Sequence, residues 1–246
     1  MKHWRVRVFA FVAVALSACA SCDRPTRMGL GECVVLLHGL ARTSRAMEPM
    51  AEALTEDGYI VANIDYPSRE YPIEELAPIA VGDGIEACKN NGSAPTIHFV
   101  THSLGGILVR QYFADQVPDS LGRVVMLAPP NQGSNAADAM QGVPGFDWLN
   151  GPAGHQLGKG EESVPLRLGA PDFEFAVIAG DRTIDPVTSQ VLENPDDGRV
   201  SVEDTKLDGM RDFRVLSVSH AFIMQDDEVM LLVSNFLRYG SFDGPQ

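Results

Sequence analysis

Short apolar runs alternate along this chain with longer segments whose apolar residues recur every three or four positions. Continuous runs are typical of strands in a parallel sheet that is buried on both faces. The runs cover residues 34–40, 59–65, 97–102, 124–128, 175–179 and 213–218. Helical spacing is found in residues 47–54, 73–87, 104–109 and 221–239. The alternation predicts an α/β fold, a mainly parallel sheet with helices on both faces.

Residues 135–172 interrupt this alternation. They are rich in glycine and proline and contain few periodic apolar positions. The pattern therefore predicts a small irregular cap, without a large helical lid. A chain of 246 residues is within the range of a single domain with one sizeable core.

The N-terminus has the three-part layout of a secretory signal. A basic region with Lys2, Arg5 and Arg7 precedes an apolar run over residues 8–16 and a stretch of small residues before Cys19. Leu-Ser-Ala-Cys resembles the lipobox of bacterial lipoproteins, which implies a lipidated Cys19 and, with Ala20 next, an outer-membrane location. Ordinary cleavage after residue 18 or 20, giving a soluble periplasmic or secreted protein, is the alternative.

These signals divide the chain into four parts. We expect a signal peptide over residues 1–18, a lipid-anchor tether over 19–30, the folded domain over 31–240 and a C-terminal tail over 241–246. The formal net charge is −14, with 33 acidic and 19 basic side chains. Nucleic acid is excluded as an expected partner, because phosphate binding needs a basic surface.

A hydrophobic strand runs directly into Ser103, which is followed by Leu104, Gly105 and Gly106. This is the pattern of a nucleophile elbow, in which a strand turns sharply into a helix and exposes a serine hydroxyl. The two glycines lack the Cβ atoms that would collide where the helix folds back on the strand. The usual motif is G-x-S-x-G, and Thr101 replaces its first glycine.

A second motif ends the first strand, where residues 34–37 lead into His38, Gly39 and Leu40. A catalytic serine of this kind needs two backbone N–H donors for the oxyanion, one after the nucleophile and one from an earlier loop. Leu104 and Leu40 occupy those two positions. Read alone, His38-Gly39 would be a simple strand-ending turn.

Together, these motifs resemble the α/β-hydrolase superfamily, most closely compact bacterial lipases and esterases with His-Gly-Leu followed by His-Ser-Leu-Gly-Gly. The resemblance covers roughly residues 31–240 and implies the chain order serine, acid, histidine for a catalytic triad. His220 is the expected base, because it follows the last strand, whereas His155 lies in the predicted cap. The acid is predicted as Asp197, in an Asp-Gly-x-Val loop similar to that of bacterial lipases, with Asp185 second.

The expected reaction is cleavage of a carboxylic ester through an acyl-serine intermediate. An acyltransferase or lipid-remodelling enzyme with the same triad is one alternative, and a catalytically silent binding module on the same fold is another. The expected partners are an ester or lipid substrate and, through the lipid anchor, a bacterial membrane. No clustered metal ligands and no phosphate-binding glycine loop are evident, so we expect no metal and no cofactor.

Cys33 and Cys88 belong to the folded domain of a chain that is predicted to be exported to an oxidising compartment. In the topology that the resemblance implies, the strands beginning near these cysteines are parallel neighbours, which puts both at the edge opposite the catalytic site. A Cys33–Cys88 disulfide is therefore expected. Two separately buried thiols are the alternative.

Overall fold

The computed structural model describes residues 31–92, 95–185 and 187–245. It contains a six-stranded parallel sheet with the order β2-β1-β3-β4-β5-β6. The strands are β1 (Cys33–Leu37), β2 (Ile60–Ile64), β3 (Ile97–His102), β4 (Leu121–Leu127), β5 (Phe175–Gly180) and β6 (Asp212–Leu216). Each predicted apolar run overlaps one of these strands, so the predicted α/β class is confirmed.

Eight α-helices connect and cover the strands. They are α1 (Glu48–Glu56), α2 (Ile73–Asn90), α3 (Leu104–Tyr112), α4 (Asn135–Met140), α5 (Phe146–His155), α6 (Val164–Leu168), α7 (Val202–Thr205) and α8 (Asp227–Tyr239). Short 3₁₀ turns lie at Ser44–Met47, Thr188–Val191 and Ile223–Gln225. Helices α2 and α3 pack on one face of the sheet, and α1 and α8 pack on the other.

The sheet is buried on both faces, which explains its continuous apolar runs. All five residues of β1 have no solvent exposure, and its side chains alternate between the two cores. Every strand points the same way, so all carboxyl ends lie along one edge of the sheet. Loops after these ends are where an α/β fold assembles its site.

The cap is more regular than the sequence predicts. Residues 135–172 contain the short helices α4, α5 and α6, which are joined by turns. Ser134 caps α4, because its Oγ accepts from the N–H groups of Ala136 and Ala137, and Ser163 caps α6 through the N–H of Leu166. These local caps stabilise helices too short to show a clear apolar period.

At the opposite edge of the sheet, Cys33 at the start of β1 forms a disulfide with Cys88 in the last turn of α2. Their Cα atoms are 5.8 Å apart. The expected pairing is therefore present in the structure.

The chain remains packed beyond residue 240, where a C-terminal tail is predicted from the sequence. Phe242 is buried against Phe236 of α8, and its N–H donates to Asp212. One buried aromatic residue after a glycine turn was too short a signal to extend the domain. The signal-peptide and lipid-anchor predictions concern residues 1–30, which lie outside the described residues. No helix in the described ranges has the length and apolar character needed to cross a membrane.

Candidate active site

Ser103 lies at the junction of β3 and α3 with a left-handed backbone, φ 52° and ψ −117°. The turn is tight because a Cβ added to Gly105 would lie 2.8 Å from the Leu37 carbonyl oxygen. Gly106 has more room, but a Cβ there would lie 3.3 Å from Thr101 Oγ1. The glycine at position 106 thus leaves space for the threonine that replaces the usual first glycine.

His220 lies in the turn after β6 and contacts Ser103 across the sheet edge. The distance between His220 Nε2 and Ser103 Oγ is 3.1 Å, as expected for a hydrogen bond from the hydroxyl to the imidazole. On the other side of the ring, Nδ1 is 2.7 Å from Asp197 Oδ2. The His220 N–H also donates to the Asp197 carbonyl oxygen at 3.0 Å, which fixes the two loops together.

Asp197 is almost fully buried, and both of its carboxylate oxygens are used. Oδ2 faces His220, while Oδ1 accepts from the N–H groups of Arg199 and Val200 at 2.9 and 2.8 Å. A buried carboxylate needs such partners, because an unpaired one is costly to desolvate. The loop therefore aims one oxygen at the imidazole.

Asp185, the second choice for the acid, is directed elsewhere. Its Oδ1 accepts from the N–H groups of Val187 and Thr188, and its Oδ2 lies 3.3 Å from Arg199 Nη2. The structure thus brings together the first-choice set of Ser103, His220 and Asp197. Their catalytic roles remain predictions.

The loop after β1 lies directly against the serine. A Cβ on Gly39 would be 3.2 Å from Ser103 Cβ and 2.7 Å from His102 Nδ1, so only glycine fits this approach. The N–H groups of Leu40 and Leu104 have no acceptor within the described part of the chain. Two free donors beside a serine hydroxyl are what an oxyanion hole requires.

His38 holds this loop in place. Its ring stacks on Tyr66 at 4.1 Å, its Nδ1 contacts the Gly39 carbonyl oxygen, and its Nε2 accepts from the Tyr66 N–H. The Tyr66 hydroxyl donates to the His38 carbonyl oxygen at 2.5 Å. Burial lowers the pKa of His38, so the neutral ring is favoured.

His102 directly precedes the serine, and its local sequence predicts no role for it in the site. It is buried, and its Nε2 is 3.0 Å from the His220 carbonyl oxygen, which makes this nitrogen the donor. Burial lowers its pKa well below the ordinary value, and the charges of His220 and Arg42 lower it further. His102 is therefore a neutral residue that helps to position His220.

A pocket of about 340 Å³ opens beside Ser103. Its cap side is apolar, with Met140 of α4, Leu149 of α5 and Leu157 among its lining residues. Within the described ranges, no cluster of three or more histidine, cysteine, aspartate or glutamate residues could hold a metal ion. The arrangement can bind an apolar group next to a serine that is hydrogen-bonded to a histidine.

The sequence model of the alpha/beta hydrolase family matches residues 34–232, which contain every residue of this site. The chain belongs to the alpha/beta hydrolase family. The match begins one residue into β1 and ends within α8, so it covers all of the sheet except Cys33. The resemblance inferred from the two glycine motifs is thereby confirmed.

Solved structures of this fold are similar to the chain. A mature lipase from Bacillus licheniformis shares 19% identity with a TM-score of 0.62, covering 81% of this chain and 87% of that one. A phospholipase from Legionella pneumophila shares 22% identity with a TM-score of 0.58, covering 71% and 45%. A metagenomic carboxyl esterase shares 17% identity with a TM-score of 0.57, covering 80% and 67%. No curated protein sequence matches the chain.

Proposed function

We propose that this alpha/beta hydrolase cleaves carboxylic esters through an acyl-serine intermediate. The observation that carries the proposal is the unbroken contact chain from Ser103 Oγ to His220 at 3.1 Å and on to Asp197 at 2.7 Å. A serine, a histidine and a buried carboxylate in this order form an activated nucleophile.

The first half-reaction transfers the acyl group to the enzyme. His220 Nε2 takes the Ser103 proton as Oγ attacks the ester carbonyl carbon, and the carbonyl oxygen becomes negatively charged. The N–H groups of Leu40 and Leu104 stabilise that oxyanion. When the tetrahedral intermediate collapses, the C–O bond breaks and His220 gives its proton to the departing alcohol.

The second half-reaction frees the enzyme. A water molecule gives a proton to His220 Nε2 and attacks the acyl-serine carbonyl carbon, and the returning proton restores the Ser103 hydroxyl as the acid leaves. Asp197 keeps Nδ1 protonated, so that Nε2 is the basic nitrogen in both steps. An alcohol in place of water would give acyl transfer with the same residues.

The lipase, phospholipase and esterase activities of similar structures support ester chemistry as the reaction to test, and the apolar pocket supports an acyl chain as part of the substrate. Labelling with a fluorophosphonate probe, followed by a panel of 4-nitrophenyl esters of increasing chain length, tests the proposal. We expect labelling of the wild type and none of Ser103→Ala. Ester turnover that persists in Ser103→Ala would contradict it, and a product analysis with added alcohol separates hydrolysis from acyl transfer.

We also propose that the chain is exported and held at the outer membrane through a lipidated Cys19. The lipobox-like Leu-Ser-Ala-Cys sequence after a basic and apolar N-terminus supports this, since acyl chains on one residue add about 0.8 kcal/mol of membrane affinity per buried methylene. Cys19→Ser should move the protein from the membrane to the soluble fraction. Cys22→Ser is the matched control, and a wild type that is soluble with an unmodified N-terminus would refute the proposal.

A further inference from the structure

The pocket beside Ser103 has an unusual charge for this chain. Arg42 and Arg199 are the charged residues among the described residues that line it, and both are basic. The chain as a whole carries 33 acidic and 19 basic side chains. Its composition therefore does not favour a pocket whose charged lining residues are all basic. Two guanidinium groups beside a nucleophile suggest an anionic ligand.

Arg42 lies on the loop that also carries Leu40, and its N–H donates to the Gly39 carbonyl oxygen. The side chain is half-buried, and within the described residues no acceptor lies within hydrogen-bond distance of its guanidinium group. A partly desolvated charge without a partner costs free energy that an incoming anion would recover. The guanidinium group of Arg42 is therefore available to bind an anion.

Arg199 faces the pocket from the loop of the proposed acid, two residues after Asp197. Its backbone is fixed at both ends, because its N–H donates to Asp197 and its carbonyl oxygen accepts from Ser134 Oγ at 2.6 Å. Its side chain contacts Asp185 at 3.3 Å but remains 45% exposed. Arg199 thus has one carboxylate partner, while Arg42 has none within hydrogen-bond distance among the described residues, which leaves an unpaired positive charge at the pocket.

The two arginines line the same pocket as Ser103 and His220. Burial lowers the pKa of Arg42, and the positive charge of Arg199 lowers it further. The charge of Arg42 also acts on His102, next to the serine. An arginine remains cationic at neutral pH despite such shifts.

We propose that Arg42 and Arg199 form an anion subsite that binds a carboxylate or phosphate group carried by the ester substrate. The inference rests on the proposed ester hydrolysis and names the substrate class: esters with a negative group near the bond that is cleaved. Guanidinium groups match both anions, because their paired N–H donors fit two oxygens at once. A monoacylglycerol phosphate or the half-ester of a dicarboxylic acid has this chemistry.

Matched pairs of neutral and anionic esters test the subsite. One pair is 4-nitrophenyl pentanoate and mono-4-nitrophenyl glutarate, which places a carboxylate on the acyl side. The other pair is 1-lauroylglycerol and its 3-phosphate, which places a phosphate on the alcohol side. The readout is the preference, defined as kcat/KM for the anionic ester divided by kcat/KM for its neutral partner, and the larger preference identifies which anion is bound.

We expect the wild type to prefer the anionic ester in at least one pair, and added salt to reduce this preference. Arg42→Gln and Arg199→Gln should each lower the preference ~10- to 100-fold, as for loss of a charged hydrogen bond. Arg42→Lys should restore part of it. The matched control is Arg45→Gln, in the 3₁₀ turn that follows this loop and outside the pocket lining, and it should keep the wild-type preference.

Because the preference is a ratio within each variant, a partly unfolded preparation does not change it. Equal kcat/KM for neutral and anionic esters in the wild type, or a preference that survives both glutamine substitutions, would overturn the subsite and leave the proposed function standing. Calorimetric binding of 1-lauroylglycerol 3-phosphate and glutarate half-ester to Ser103→Ala tests the anion subsite without relying on turnover. Arginine-dependent binding without wild-type ester turnover would refute the hydrolase and retain the anion subsite, and the absence of both binding and turnover would refute both.

Discussion

The two edges of the sheet differ in how their backbone and side chains are held. The carboxyl edge carries Ala41, Ser103 and Ala128, the three non-glycine residues in the described ranges with left-handed φ, at 54°, 52° and 47°. It also holds buried polar groups such as His102 and Asp197. The amino edge carries the Cys33–Cys88 disulfide beneath a fully apolar β1.

This difference indicates a division of tasks along each strand. A strained backbone costs on the order of 1–3 kcal/mol per residue and persists only where the surroundings enforce it. The amino edge is held by covalent linkage and apolar packing, while the strained backbone of the carboxyl edge places the largely buried Ser103 at the pocket. Substitutions at the carboxyl edge should therefore affect turnover, and substitutions at the amino edge should affect stability.

The largest expected effect on turnover follows the loss of Ser103 or His220 at the carboxyl edge. Ser103→Ala and His220→Ala should each lower kcat/KM for a neutral ester by about 10⁴- to 10⁶-fold, because neither residue functions without the other. The double variant should cost little more than either single one. Steady-state kinetics with thermal unfolding as the folding control checks this, and a loss below tenfold would mean that Ser103 is not the nucleophile.

A second comparison separates the two candidate acids. Asp197→Asn should lower kcat for the same ester by about 10⁴-fold, because the amide no longer holds the required imidazole tautomer. Asp185→Asn should cost less than about tenfold, since its carboxylate contacts Arg199 and local N–H groups. If Asp185→Asn proves the more damaging change, the assignment of Asp197 is wrong.

The parts of the molecule that sequence could predict are those with a local signal. Each strand was marked by its own apolar run, and the Ser103 turn and the Gly39 loop were marked by glycines that the structure shows to be sterically required. The choice of Asp197 over Asp185 depended on a short loop motif. All of these signals lie within a few adjacent positions.

What could not be predicted depends on contacts between distant segments. Arg42 and Arg199 are ordinary polar loop residues until the loops after β1 and β5 meet beside Ser103. The role of His102 requires the His220 carbonyl oxygen, which belongs to the other end of the chain. The cap helices α4 and α6 are capped by Ser134 and Ser163 and are too short to show a long apolar period.

At the amino edge, loss of the disulfide should reduce stability with little effect on chemistry. Cys88→Ala should lower the free energy of unfolding by about 2–4 kcal/mol, because the bridge joins residues 55 positions apart and restricts the unfolded chain. Cys33→Ala should cost a similar amount, and the double variant little more. Urea unfolding measures this, and ester turnover at low temperature should stay within about twofold; a comparable loss of turnover would show that the two edges are coupled.

The smallest expected effect concerns pH and the buried His102. Its pKa in the folded chain is well below the ordinary value of 6.5, chiefly because of burial, so below pH 6.5 the unfolded chain binds a proton that the folded chain does not. Its contribution to stability is therefore complete above pH 6.5 and is lost as pH falls, by at most about 1.4 kcal/mol per pH unit.

His102→Gln retains a donor for the His220 carbonyl oxygen but cannot titrate. Urea unfolding at pH 8, 6.5 and 5.5 should show a shallower acid decline for the variant than for the wild type, with carboxylate titration common to both. Parallel declines would mean that His102 takes up its proton without unfolding, and that the carboxyl edge tolerates a charge beside Ser103.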